Sequence, residues 1–312
     1  MKSLFTLVAV LSILFISCRK EEKIIDDTKP RLETGYFKDV VDLVYTDTCL
    51  TFISIGDWGA PGDGLIAVSN QMDSVADYLS VEFILTAGDN FYPNGVDSIN
   101  DPYWDVYTEN FNQSSLQIPW YISVGNHDHH GSIQAQIDYS EIDERWNFPS
   151  HFYDLNMDIN GSGDSLGIIV IDSQALRTDP DDMGQGEWIS TTAQQMDHKW
   201  KLMLGHHNLY SYGHHGQSNL MISLLEDVLN TNEIDYYIAG HEHDMQYLET
   251  DGYTKYIVSG SAARTRPTDT GPYSLFALSE LGFSLYRVSK HKLEHYFIDQ
   301  YGEVVFSTVE EK

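Results

Sequence analysis

Cysteine is almost missing from this chain: Cys18 and Cys49 are the only two among 312 residues. So few exclude a disulfide-stapled scaffold and leave stability to a hydrophobic core, for which a hydrophobic content of 42% is enough. Basic residues are the second shortage. Lysine and arginine total 18 against 47 aspartates and glutamates, a formal charge of −29. So acidic a surface repels polyanions and excludes a nucleic acid duplex as partner. It also repels small anions at long range. A site for one must carry its own positive charge, and a bound metal ion supplies that locally.

Long apolar runs are scarce as well. The N-terminal run from Leu4 to Ile16, behind Lys2, is too short for a permanent membrane span and reads as the core of a signal peptide over residues 1–17. Ser17-Cys18 resembles a bacterial lipoprotein cleavage site, although Phe15 stands where leucine is usual; ordinary secretion with an incidental cysteine is the plainer alternative. Lys20-Glu21-Glu22 resembles the acidic tag of some surface lipoproteins. The expectation is an outer-membrane or cell-surface lipoprotein of a bacterium, touching the membrane through lipidated Cys18 only, with a periplasmic or secreted protein as the alternative. Residues 18–47, charged and carrying Asp26-Asp27 and Pro30, read as a tether. No repeat or composition shift follows, so residues 48–312 read as one domain, expected to be monomeric.

Within that domain, strands alternate with helices and give way to a strand-rich tail, which predicts an α/β fold of two packed sheets with helices outside. Helical spacing joins Leu65, Val68, Met72, Val75, Ala76 and Leu79; a second helix is expected around Tyr103 to Phe111. Five predicted strands end the same way, in glycine followed by metal-competent residues: Gly56-Asp57-Trp58-Gly59, Gly88-Asp89-Asn90-Phe91-Tyr92, Gly125-Asn126-His127-Asp128, Gly205-His206-His207 and Gly240-His241-Glu242-His243. Ligands bind at the carboxyl ends of strands in such sheets, and glycine lets a loop turn sharply there. Of the 13 histidines, nine fall in three clusters, at 127–130, 206–215 and 241–243, a bunching that scattered surface histidines would not show.

This ordered set resembles the five-block pattern of the purple acid phosphatases, in the small tartrate-resistant branch of the calcineurin-like metallophosphoesterases. The resemblance covers Leu50 to the C-terminus, and Tyr92 separates this branch from relatives without a tyrosine ligand. It implies a four-layer α/β/β/α sandwich of two mixed β-sheets. It also implies one metal site of Asp57, Asp89, Tyr92 and His243, and a second of Asp89, Asn126, His206 and His241, with Asp89 bridging. Hard carboxylate and phenolate donors suit Fe³⁺, while imidazoles and an amide oxygen suit Fe²⁺, Zn²⁺ or Mn²⁺. The implied reaction is hydrolysis of a small phosphomonoester by in-line attack of a metal-bound hydroxide, with His127 and His215 as candidate proton donors.

In this reading Asp128 orients His127 and raises its pKa. His214 is a rival to His215. Tyr210, Tyr212 and Trp58 are candidate contacts to the organic part of the substrate, and Glu242 points away as a solvated charge. His129, His130 and His207 either shape the pocket or are exposed. Asn208 departs from the family, which usually has proline there, and the short acidic segment from Thr178 to Gln185 carries no regulatory loop. The rival activities are phosphodiester or nucleotide pyrophosphate hydrolysis with Mn²⁺, Zn²⁺ or Fe²⁺ in both sites. A surface protein that only binds metal or phosphate is the remaining alternative.

Overall fold

The structure is a computed structural model that describes residues 34–41, 49–179 and 184–312. Cys18, the signal peptide and residues 180–183 of the acidic segment lie outside the described residues. Two sheets lie face to face. The first runs, in spatial order, β1 (Gly35–Tyr36), β15 (Glu303–Glu311), β14 (Lys292–Asp299), β13 (Gly282–Val288), β2 (Leu50–Ile55), β3 (Phe83–Ala87), β4 (Trp120–Ser123) and β5 (Trp146–Asn147). The second runs β12 (Ser274–Leu278), β10 (Met245–Glu249), β11 (Lys255–Ser259), β9 (Tyr236–Ala239), β8 (Trp200–Leu204), β7 (Ser165–Val170) and β6 (Tyr153–Asp158).

Each sheet has a parallel centre and antiparallel flanks. β2 to β5 are parallel in the first, and β7, β8, β9 and β11 in the second. Parallel strands covered on both faces have no polar side to show, which is why every residue of β2, β3 and β9 is buried. Hydroxyls stitch the two layers together: Ser123 Oγ donates to Ile171 O at 3.1 Å and Ser259 Oγ to Ser54 O at 3.2 Å.

Helix α2 (Asp63–Leu79) buries the apolar face expected of it against the first sheet. Helices α6 (Gln185–Gln195) and α7 (Asn219–Thr231) cover the second. Helices outside two mixed sheets make the expected four-layer sandwich. The helix expected from Tyr103 to Phe111 is divided: Asp101 caps a 3-10 turn at Pro102–Trp104, and α3 covers only Asp105–Asn110.

The tether read over residues 18–47 also needs correcting at its end. β1 pairs antiparallel with β15, and in α1 (Phe37–Val40) the Phe37 ring is fully buried. An aromatic ring covered by the core is part of the fold, and charge content alone did not reveal it. β13 mixes apolar and polar residues, yet all seven are buried. The polar ones find partners inside: Ser284 meets His295 Nε2 at 3.2 Å, and Arg287 meets Glu294 at 3.3 Å.

Candidate metal centre

Because the central strands of each sheet are parallel, their carboxyl ends lie together along one edge of the sandwich. β2 presents Asp57, β3 presents Asp89 and Tyr92, and β4 presents Asn126 and His127. From the other sheet β8 presents His206, and β9 presents His241 and His243. All seven expected metal ligands converge there.

On one side the Tyr92 hydroxyl is 2.8 Å from Asp57 Oδ1 and 3.2 Å from His243 Nε2, and His243 Nε2 is 3.4 Å from Asp57 Oδ1. On the other side His206 Nε2 is 3.2 Å from Asn126 Oδ1, 3.2 Å from His241 Nδ1 and 3.5 Å from Asp89 Oδ1. Donors about 2.1 Å from one cation, at right angles, would lie about 3 Å apart. Moreover, His206 Nδ1 sits 2.8 Å from Ala87 O and donates to it, which orients the ring with Nε2 facing the oxygens of Asn126 and Asp89. Carboxylate, amide and imidazole donor atoms turned toward one point at these separations are what a cation satisfies. Asp57, Asp89 and His206 form one group able to hold a metal ion, and His206, His207 and His241 form another.

The electrostatics agree. Burial, with the charge of Asp89 adding to it, pushes Asp57 up to about 8. Burial, then the charges of Asp57 and Asp89, raises the Tyr92 phenol. Burial drives His241 well below the usual imidazole range and His243 down to about 4, with Arg266 adding to the latter. Buried anions without a counter-charge are costly, whereas neutral imidazoles are ready to ligate. The donor set therefore fits a pair of cations.

The glycines act differently from expectation. Among the residues before the ligands, Gly88 has positive φ, at 82°. The strained residues are expected ligands themselves: Asp57 (φ 56°), Asp89 (φ 53°) and His241 (φ 70°). For a side chain other than glycine this costs about 1–2 kcal/mol per residue, and the surrounding fold must hold it. Gly240 instead leaves room: a Cβ there would lie 2.5 Å from Asp57 Oδ2, the atom that accepts the His241 N–H at 2.7 Å.

Several other expected roles change. Among the described residues the Asp128 carboxylate makes no hydrogen bond to the His127 ring. That buried carboxylate accepts Gly125 N at 2.8 Å, Asn90 N at 3.1 Å and Gln136 Nε2 at 3.1 Å, stapling the loops after β3 and β4. His127 is placed by its own backbone N–H, 2.9 Å from Asp89 Oδ1, and by Nδ1, 2.6 Å from Pro93 O; its ring lies on Tyr92 at 4.4 Å.

His215 stacks on His241 at 4.3 Å, and Arg266 Nη1 donates to its Nε2 at 2.6 Å. Burial and that guanidinium hold His215 down at about 4. His215, and not His214, lines the cavity beside His241.

Glu242 is fully buried and not a solvated charge. Its Oε1 accepts the backbone N–H groups of His215 at 2.6 Å and Gly216 at 2.8 Å. Asn208 closes the same loop, its Nδ2 reaching Gly216 O at 2.9 Å. Trp58 is sealed in an aromatic cluster with Phe91, Phe111 and Trp120. Tyr210 donates to Glu226 and packs on Tyr256, and Tyr212 packs over Gly271. His207 is buried on Ser173 Oγ at 2.9 Å, and His129 is held by Asp172 at 2.9 Å. His130 stays exposed, with Nδ1 3.2 Å from Pro93 O.

Two cavities flank the cluster. One, of about 370 Å³, is lined by Tyr92, His127, His243, Tyr103, Arg264 and Arg266. The other, of about 190 Å³, is lined by Arg177, His207, His215 and His241. The arginines were missed from sequence because they lie outside the ligand motifs. A signal was present for two of them: β11 also ends in a glycine junction, Ser259-Gly260-Ser261, five residues before Arg264-Thr265-Arg266 begins.

This two-sheet sandwich, with carboxylates, imidazoles, an amide and a phenol gathered at its parallel strand ends, defines a dinuclear-metal phosphoester hydrolase. The chain belongs to the calcineurin-like phosphoesterase family, whose model matches residues 50–245. It is 30% identical over 292 residues to tartrate-resistant acid phosphatase type 5 of Homo sapiens, covering 83% of this chain and 90% of that one. With Purple acid phosphatase 7 of Arabidopsis thaliana it shares 28% identity over 288 residues, 83% of this chain and 85% of that one. Among solved structures, GAP50, described as the anchor in the inner membrane complex of Plasmodium, superposes with a TM-score of 0.78 at 23% identity, covering 85% of this chain and 90% of that one. Purple acid phosphatase PPD1 from yellow lupin (Lupinus luteus) seeds superposes with a TM-score of 0.67 at 16% identity, over 85% of this chain and 54% of that one. At these identities the two structures speak for the fold alone.

Proposed function

We propose that the protein is an acid phosphatase acting on small phosphomonoesters. In this reading Asp57, Asp89, Tyr92 and His243 hold Fe³⁺, and Asp89, Asn126, His206 and His241 hold Fe²⁺, Zn²⁺ or Mn²⁺. The observation that carries it is the Tyr92 hydroxyl, packed 2.8 Å from Asp57 Oδ1 and 3.2 Å from His243 Nε2. A phenol placed among hard donors serves a hard trivalent ion. When bound, the metal pair supplies an activated water and neutralises phosphoryl oxygens.

The chain's own residues do the rest. His127, with Nδ1 engaged by Pro93 O, lines the larger cavity, where its remaining ring nitrogen, Nε2, is assigned to deliver the proton to the leaving oxygen. Neutral His215 and Arg266 form the wall that positions the ester. The retained set of seven donors supports an enzyme over a protein that only binds metal or phosphate.

The test compares turnover of nitrophenyl phosphate and bis-nitrophenyl phosphate by metal-replete protein. Monoester turnover is expected to dominate; faster diester turnover would refute the substrate assignment. For location, we propose a monomer tethered to a bacterial outer membrane or cell surface by lipidated Cys18. Mass spectrometry of the mature N-terminus should find a diacylglycerol thioether on Cys18, and an unmodified Cys18 would refute the tether.

A further inference from the structure

Five arginines lie among the described residues, and two are in ion pairs: Arg145 with Asp143 at 2.6 Å and Arg287 with Glu294 at 3.3 Å. The other three, Arg177, Arg264 and Arg266, form no ion pair among the described residues, although acidic residues outnumber basic ones 47 to 18. All three line the cavities that flank the donor cluster. In so acidic a chain, a guanidinium that forms no ion pair among the described residues is available to an anion from outside.

Arg264 and Arg266 differ in how they are held. Arg266 is anchored: its backbone N–H donates to His243 O at 2.8 Å, its carbonyl accepts Ser279 Oγ at 2.6 Å, and its Nη1 donates to His215 Nε2 at 2.6 Å. Arg264 is exposed, and no side-chain partner holds its guanidinium among the described residues. It stands over a cavity whose buried lining is Ala60, Tyr92 and His243. At about 370 Å³ that cavity reaches the size of small-molecule pockets, about 300–1,000 Å³, and has room for an organic group beside the phosphoryl. The charge of the transferred phosphoryl group is met at the donor cluster, so the free guanidinium at the opening is left for a second charge.

We infer that Arg264 is a specificity-determining residue: it binds a second phosphate on the organic part of the ester, and the favoured substrates are small bisphosphates. This rests on the phosphomonoesterase reading. A guanidinium and a phosphate make bidentate, charge-assisted hydrogen bonds, which suits a group that must be recognised without being cleaved.

The test uses the full metal-replete protein and follows phosphate release from fructose 1,6-bisphosphate, fructose 6-phosphate and nitrophenyl phosphate at low salt. Wild type is expected to show kcat/KM for the bisphosphate about tenfold or more above the monophosphate, carried by KM. Arg264→Ala should collapse that ratio to about one, and Arg264→Lys should restore part of it. The side chain is exposed and unpaired, so the substitution leaves the core untouched. An equal loss for all three substrates would place Arg264 on the transferring phosphoryl group and overturn the inference, as would a wild type without bisphosphate preference. If wild type turns over none of the three, the phosphomonoesterase reading falls, and calorimetry with fructose 1,6-bisphosphate still decides. Weaker binding by Arg264→Ala then upholds the subsite, and equal affinity removes it.

Discussion

Glu242 offers the sharpest test of how the site is held together. One buried oxygen of this residue accepts the backbone N–H groups of His215 at 2.6 Å and Gly216 at 2.8 Å, with Ser211 Oγ at 3.3 Å. Hydrogen bonds to a charged acceptor contribute about 1.5–3 kcal/mol each, so two of them tie down the loop by about 3–6 kcal/mol at most. In Glu242→Ala the freed N–H groups need not stay buried, because the loop is exposed at His214 and His215 and can turn to water. The net loss is then about 1.5–3 kcal/mol, felt locally as detachment of His215 from His241 and Arg266. At about 1.4 kcal/mol per factor of ten, kcat/KM for nitrophenyl phosphate should fall about 10- to 100-fold. Glu242→Gln keeps an oxygen for the same N–H groups and should retain most of the activity. Metal content must be measured alongside, since Glu242 lies between His241 and His243. If Glu242→Ala with wild-type metal content keeps kcat/KM within about twofold, the loop is not held in this way and the reasoning fails.

Other consequences are as direct. In Gly125→Ala the new Cβ would collide with the Asp89 carboxylate and lie 2.5 Å from Asp89 N, so metal affinity should drop about 10- to 100-fold; equilibrium dialysis with metal analysis checks it, and unchanged affinity refutes it. Under the ferric assignment, Tyr92→Phe should abolish the visible phenolate-to-iron absorption of the protein while leaving the second metal bound; a retained band would mean that another group produces it. His295, fully buried and 3.2 Å from Ser284 Oγ, is pushed by burial from 6.5 down to about 3. The unfolded chain therefore binds the extra proton between those values. The contribution to stability is complete above about pH 6.5 and is lost as pH falls, by up to about 1.4 kcal/mol per pH unit. His295→Phe, which fits among Tyr247, Phe297 and Phe306, should flatten that part of the denaturation-versus-pH curve; an unaltered slope would count against a neutral buried imidazole.

The seven donor positions were legible without coordinates because the fold repeats one local rule: a buried parallel strand, a glycine, then a ligand. That rule is written in contiguous residues, and so is the apolar face of α2. Roles that depend on what a side chain meets across the fold were not legible. Glu242 between two histidines reads as solvent-facing until the loop from Ser211 to Gly216 folds over it. Asp128 next to His127 reads as its partner until Gly125, Asn90 and Gln136 claim the carboxylate. Trp58 follows Asp57 but turns inward to Phe91 and Trp120.

By itself, then, the sequence determined the alternation of strands and helices, the identity of the donors and the chemistry they favour, because local periodicity and residue type decide these. Only the tertiary structure decided which neighbours each charged group has. It set Arg266 against His215 and turned Glu242 from surface charge to loop anchor. It also brought Arg177, Arg264 and Arg266, as much as 89 residues apart in the chain, to the rim of one site. Electrostatic roles are set by distances through space, and those exist only once the two sheets have packed.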